Sequence, residues 1–162
     1  MRIDYSAESP KGIAPIYALN RYIETTSLEA KLVHLIELRA SQINGCAFCM
    51  HLHTLQLEEV GETKERIACL SAWEETELFS PRERAALAWT EAVTLVSETH
   101  VPDETYQEVR GHFSEKELSD LTLAIAGINV WNRLAIAFRQ DPSIAPAVLE
   151  QLHAARRAST HV

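Results

Sequence analysis

Helix-breaking residues are scarce in this chain of 162 residues, which contains five glycines and six prolines. No run of alternating β-branched residues is present, and the overall composition excludes a collagen-like or largely disordered chain. Apolar residues instead recur three and four positions apart, the spacing of one face of a helix. The sequence therefore predicts an all-α fold, arranged as one compact helical domain over residues 1–162.

Positive charge is also in short supply, since 15 lysines and arginines accompany 23 acidic residues and the formal net charge is −8 at pH 7. A surface of this sign repels phosphate backbones and anionic lipids, so we expect no nucleic-acid partner and no membrane partner. The N-terminal segment MRIDYSAESPKG lacks the apolar run of a secretory signal. We therefore expect a cytoplasmic protein.

Cysteine is limited to three residues. A chain of this length buries enough surface to fold without a disulfide or a structural metal. Structural disulfides are also rare in the reducing cytoplasm. A cysteine pair in this sequence is therefore expected to bind a metal or to take part in redox chemistry.

Only one long apolar stretch is present, over residues 121–138. It contains Asn129, Asn132 and Arg133, and an arginine at the centre of a bilayer costs about 2.5–3.5 kcal/mol. We interpret the stretch as a buried helix, either the central core helix or a helix that lies partly at a subunit interface. Trp131 and Phe138 are candidate anchors in either case.

Capping residues, prolines and glycines divide the chain into helices. We expect the Thr25-Thr26-Ser27 cluster to end the first helix and to cap the second, and Asn44-Gly45 to end the second. Ser80 and Ser114, each followed three residues later by glutamate, predict two capping boxes. The predicted helices span about residues 15–24, 28–43, 46–60, 63–72, 81–97, 103–110, 115–138 and 143–157. We expect the tail beyond residue 157 to be frayed.

Two cysteines and two histidines cluster within residues 46–53. In a helix Cys46 and Cys49 share a face, close enough for a disulfide, and His53 lies on that face, four residues beyond Cys49. The first turn of a helix stabilises a thiolate, and His53 can take the proton of Cys49. Glu37 lies nine residues before Cys46, so on the preceding helix its carboxylate could orient His53 or a water molecule.

Other interpretations of these residues remain open. Cys46, Cys49, His51 and His53 could together bind zinc, although His51 points away from the others on a helix. His34 is expected to pack within the protein or to line the site. Cys69 has no cysteine nearby in the sequence and is expected to be buried and inert.

The string Glu-Leu-Arg-Ala-Ser-Gln-Ile-Asn-Gly-Cys-Ala-Phe-Cys-x-x-x-His, which begins at Glu37, resembles the signature of the alkylhydroperoxidase D-like proteins of the carboxymuconolactone decarboxylase-like superfamily. The resemblance extends over about residues 15–140. It implies an all-α fold, assembly into homotrimers or hexamers, and reduction of organic hydroperoxides by thiols. Cys49 resembles the cysteine that attacks the peroxide, Cys46 its disulfide partner, and His53 the proton-relay histidine.

This chain departs from the family pattern at two positions. The relay glutamate of the best-known members lies twelve residues before the first cysteine, where this chain has His34. Glu37, one helical turn nearer, is the expected replacement. The histidine that those proteins have before the second cysteine is Phe48 here, which implies a simpler relay.

The sequence therefore predicts a thiol-dependent peroxidase of peroxiredoxin type that needs no organic cofactor and no metal. Its expected partners are a neutral organic hydroperoxide and an external dithiol or thiol reductant, such as a lipoyl or thioredoxin-like protein. A non-enzymatic redox or metal-sensing scaffold is the alternative. Lactone decarboxylation is less favoured because that branch lacks the cysteine pair.

Overall fold

The computed structural model describes residues 1–159, and these residues form helices and connecting turns without a strand. The predicted all-α domain is therefore confirmed. The predicted frayed tail lies partly outside the described residues. The α-helices are α1 (Tyr5–Glu8), α2 (Pro10–Glu24), α3 (Ala30–Asn44), α4 (Ala47–Glu59), α5 (Lys64–Cys69), α6 (Pro81–Thr94), α7 (Val96–Thr99), α8 (Asp103–Arg110), α9 (Glu115–Phe138) and α10 (Ala145–Ser159), with 3₁₀ segments at Leu70–Glu75 and Pro142–Ile144.

The first predicted helix corresponds to α2 and begins at Pro10, earlier than the predicted Pro15. Pro10 occupies the first turn of α2, and Pro15 lies inside the helix, where its missing N–H removes one backbone hydrogen bond. The expectation that residues 25–27 cap the next helix was also wrong. The hydroxyl groups of Thr25 and Thr26 donate back to carbonyl groups of α2, and Glu29 precedes α3 without a side-chain cap.

The junction between α3 and α4 follows the prediction closely. Gly45 ends α3 with a φ of 71°, in the left-handed region where glycine avoids the clash of a Cβ atom. Cys46 is the N-cap of α4, one position before the predicted first turn, and Cys49 is the third helical residue. The two serine capping boxes are confirmed as well, at the starts of α6 and α9.

Helix α6 ends at Thr94, three residues before the predicted end, because Leu95 leaves the helical conformation and the short α7 follows. The last predicted helix divides into the 3₁₀ segment Pro142–Ile144 and α10.

Helix α9 packs against α2, α3 and α6. Its inner face includes Leu121 and Ile125, which are fully buried in a cluster with Ile36 of α3 and Trp89 of α6. By length and composition alone α9 could cross a membrane, and less than half of its most apolar stretch is buried in this chain. Burial of the inner face agrees with the predicted core helix, whereas the outer face remains apolar and exposed.

The polar side chains of α9 connect it to α3. Asn132 is fully buried and donates to Ser41 Oγ at 3.1 Å, while its Oδ1 accepts from Asn44 Nδ2 at 2.8 Å. The Ser41 hydroxyl in turn donates to the backbone carbonyl of Glu37. A fully paired buried network fixes the relative position of its helices, so this one sets how α3 presents Glu37.

Candidate active site

Cys46 and Cys49 are joined by a disulfide at the start of α4, with their Cα atoms 5.3 Å apart. Both residues are buried and pack against Ala40 of α3 and Ile128 of α9. The backbone N–H of Cys49 donates to Cys46 Sγ at 3.3 Å, so the sulfur takes the part of an N-cap acceptor. When the pair is reduced, this N–H favours the thiolate of Cys46, and the positive end of the helix favours ionisation of either sulfur.

A cleft of about 510 Å³ opens beside the first of these cysteines. Cys46 and the preceding Gly45 form part of its wall, and Arg2 and Arg139 contribute two guanidinium groups. Among residues 1–159, the lining of the cleft includes these two arginines and no acidic residue. The formal charge of this lining is therefore positive, in contrast to the net charge of −8.

The carboxylate of Glu37 lies between two histidines, one of which is on α4, the helix that begins at the disulfide. Its Oε2 accepts from His34 Nδ1 at 2.9 Å and lies 3.2 Å from His53 Nδ1. His34 precedes Glu37 by one turn of α3, whereas His53 extends from α4, where it is buried. The packing of α3 against α4 thus gathers an imidazole, a carboxylate and a second imidazole.

The carboxyl group of Glu37 is held in its ionised form. Burial opposes ionisation, but the facing His53 and His34 imidazoles outweigh it and hold the pKa of Glu37 well below its ordinary value. An ionised Glu37 can accept an Nδ1–H from either ring, and a ring that donates from Nδ1 presents its Nε2 on the opposite side.

Sequence reasoning missed Gln56 as a member of this cluster. Gln56 is buried, and its Oε1 lies 2.8 Å from His53 Nδ1, closer than Glu37. The signal was available, because residues three apart on a helix are neighbours and Gln56 follows His53 at that spacing.

The four residues weighed for zinc are not brought together as a ligand set. The sulfur atoms of Cys46 and Cys49 are bonded to each other, and His51 Nδ1 lies 2.8 Å from the carbonyl oxygen of Pro142, on another side of α4. Cys69 is unpaired and half-buried at the end of α5, so it is less buried than expected.

Comparisons with known proteins agree with this geometry. The sequence profile of the carboxymuconolactone decarboxylase family matches residues 14–92. The uncharacterized protein YdfG of Bacillus subtilis is 43% identical over 136 residues, which cover 84% of this chain and 92% of YdfG.

Solved structures share the helical arrangement. A protein of unknown function from Agrobacterium tumefaciens, assigned provisionally to the AhpD antioxidant defence proteins, is 41% identical, with a TM-score of 0.84 over 86% of this chain and 96% of that protein. The debrominase Bmp8 is 19% identical, with a TM-score of 0.74 over 88% of this chain and 77% of Bmp8. At that identity the likeness to Bmp8 concerns the fold alone.

Proposed function

Because the chain belongs to the carboxymuconolactone decarboxylase family and has the fold of its AhpD-like members, we propose that it is a thiol-dependent peroxidase that reduces organic hydroperoxides. One observation carries the proposal. A cysteine pair closes into a disulfide at a helix N-terminus, one turn before a buried imidazole whose Nδ1 faces a carboxylate. A redox-active pair and a means of proton transfer are the two parts that peroxide reduction needs.

The first step is attack of the Cys49 thiolate on the terminal oxygen of the hydroperoxide. His53 takes the proton of the Cys49 thiol as the thiolate forms; the O–O bond then breaks, an S–O bond forms, and His53 returns that proton to the departing alkoxide, which becomes an alcohol. The sulfur is oxidised to a sulfenic acid and the peroxide is reduced. Spacing supports this assignment, since Cys49 and His53 lie four residues apart on one helical face and are both buried.

The second step is condensation within the pair. The Cys46 thiol attacks the sulfenic sulfur of Cys49, the S–O bond breaks, and a disulfide and one water molecule form. An external dithiol then reduces the disulfide by exchange and is itself oxidised. The cleft beside Cys46 gives such a reductant a place to approach, and a reducing cytoplasm would supply it.

The test compares three matched serine variants. We measure cumene hydroperoxide consumption with dithiothreitol, and single-turnover oxidation of the prereduced protein without it. Wild type and Cys69→Ser should turn over equally, because Cys69 is unpaired. Cys49→Ser should lose peroxide-dependent oxidation, whereas Cys46→Ser should react once and leave a sulfenic acid that dimedone traps.

Two outcomes would contradict the proposal. Undiminished turnover by Cys49→Ser would show that another group attacks the peroxide. A wild-type protein that cycles between disulfide and dithiol but consumes no peroxide would instead support a non-enzymatic redox scaffold.

A further inference from the structure

Three side chains with metal-ligating atoms meet between α3 and α4. His34 and Glu37 come from α3 and His53 from α4, and one ligand atom of each lies within 4.8 Å of the other two. Elsewhere in residues 1–159 no comparable group of three histidine, cysteine or acidic residues occurs. The group differs from the zinc set that the sequence suggested, since it includes neither cysteine.

His53 Nδ1 faces two acceptor oxygens but carries at most one hydrogen atom. His53 Nδ1 lies 2.8 Å from Gln56 Oε1 and 3.2 Å from Glu37 Oε2, and both oxygens are acceptors. A single Nδ1–H points well at only one of them. A cation between these atoms would attract both oxygens and the ring nitrogen together.

The spacings are also those of a coordination shell. Two ligand atoms that are each about 2.1 Å from a tetrahedral zinc ion lie about 3.4 Å from each other. The two nitrogen atoms are 2.9 Å and 3.2 Å from Glu37 Oε2 and lie within 4.8 Å of each other, so the first two distances would lengthen slightly around an ion. Two histidines and one glutamate form a known ligand set for zinc, and Gln56 Oε1 supplies a further oxygen.

We propose that His34, Glu37 and His53 bind a divalent transition metal of the zinc type. The side chains are 13%, 18% and 8% exposed, so the ion would be largely shielded from solvent while one edge stays open for entry. The ion would be coordinated by the Nδ1 lone pair of His53 and by the carboxylate of Glu37. If the proposed function holds, the bound ion would also inhibit peroxide reduction, because a metal-bound His53 is no longer held by Glu37 for proton transfer.

The binding test uses the disulfide form of a Cys69→Ser protein, in which no thiol competes for the ion. Calorimetric titration with Zn²⁺, and Co²⁺ absorption as a spectroscopic probe, should give one ion per chain. His34→Gln should weaken binding by at least the roughly 10- to 100-fold that follows loss of a supporting group around a metal. His51→Gln is the matched control and should bind as the parent does, because His51 lies outside the cluster.

Absence of stoichiometric binding by the parent protein would overturn the proposal, whatever the variants do. Equal binding by His34→Gln and the parent would overturn it as well. Neither result depends on peroxidase activity, so a failure here is distinct from a failure of the proposed function.

The inhibition test uses prereduced protein freed of dithiothreitol, because that reagent itself chelates zinc. Zn²⁺ should slow single-turnover peroxide reduction, and EDTA should restore it. The ratio of rates without and with zinc should fall towards one in His34→Gln. If inhibition persists in that variant, the ion acts through the thiols and the inhibitory role of the cluster is wrong.

Discussion

At the scale of single residues, Glu37 is the side chain on which the site depends most. It accepts a hydrogen bond from His34 and faces His53, while its backbone carbonyl accepts from Ser41. The sequence predicted Glu37 as the relay residue and His34 as a packing or site-lining residue. In the structure they form one unit, because residues three apart on α3 are neighbours and His53 approaches them from α4.

Replacement of Glu37 by glutamine should lower the rate of peroxide reduction by about tenfold or more. General acid–base groups typically contribute 10²- to 10⁴-fold, and loss of the carboxylate removes the acceptor that orients His53. Stopped-flow oxidation of the prereduced protein measures this rate. Glu58→Gln makes the same change on the exposed face of α4 and serves as the control. A Glu37→Gln rate within twofold of the control would show that Glu37 does not position His53 for the reaction.

At the scale of elements, the α3–α4 turn joins the carboxylate helix to the thiol helix. Gly45 closes α3 in the left-handed conformation, and the next residue, Cys46, caps α4 with its sulfur. A Cβ atom at Gly45 would meet nothing within 4 Å. Any effect of a substitution there therefore reports on backbone conformation and not on crowding.

Gly45→Ala should lower the free energy of unfolding by about 1–2 kcal/mol, the usual cost of a left-handed residue with a Cβ atom. Gly12→Ala is the matched control. Gly12 lies inside α2 without a positive φ, so alanine should stabilise it by about 0.5–1 kcal/mol. Urea denaturation of both variants gives the two values. Equal effects of the same sign would show that the turn conformation is not what constrains position 45.

The elements that could be predicted are those with local signals. The capping boxes at Ser80 and Ser114 and the stop at Gly45 rest on contacts within three or four residues, and all were predicted. The start of α2 was not, because Pro10 and Pro15 both suit a first turn and only Pro10 takes it. Thr25 and Thr26 could serve either neighbouring helix, and their hydroxyl groups donate to carbonyl groups of α2, three residues earlier.

At the scale of the whole molecule, α9 leaves an apolar face uncovered. Leu123 and Val130, which lie two turns apart on this face, are each 39% exposed. Trp131 is only partly buried and packs on Tyr17 of α2, with ring centroids 5.0 Å apart. The predicted anchors Trp131 and Phe138 are both intermediate in burial, so neither lies fully in the core or fully on the surface of the single chain.

We expect the protein to form a homo-oligomer through this face of α9, as a trimer or hexamer. Light scattering after size exclusion should give three or six times the chain mass of 18.2 kDa. Val130→Glu should reduce that mass to the monomer, since burial of an unpaired charge at an interface is costly. Val96→Glu, at a position 52% exposed on α7, should leave it unchanged. A monomeric wild type would contradict the expectation.

By itself, the sequence determined the all-α class, most helix boundaries and the placement of Cys46, Cys49 and His53 on one helical face. These features depend on 3.6-residue periodicity and on hydrogen bonds between near neighbours, so short stretches of sequence are enough to predict them. Only the tertiary structure decided that Glu37 of α3 meets His53 of α4, and that Arg2 and Arg139 line one cleft with Cys46. Those contacts depend on how α3, α4 and α9 pack, and packing is set by the whole core and its buried polar network, which no local pattern specifies.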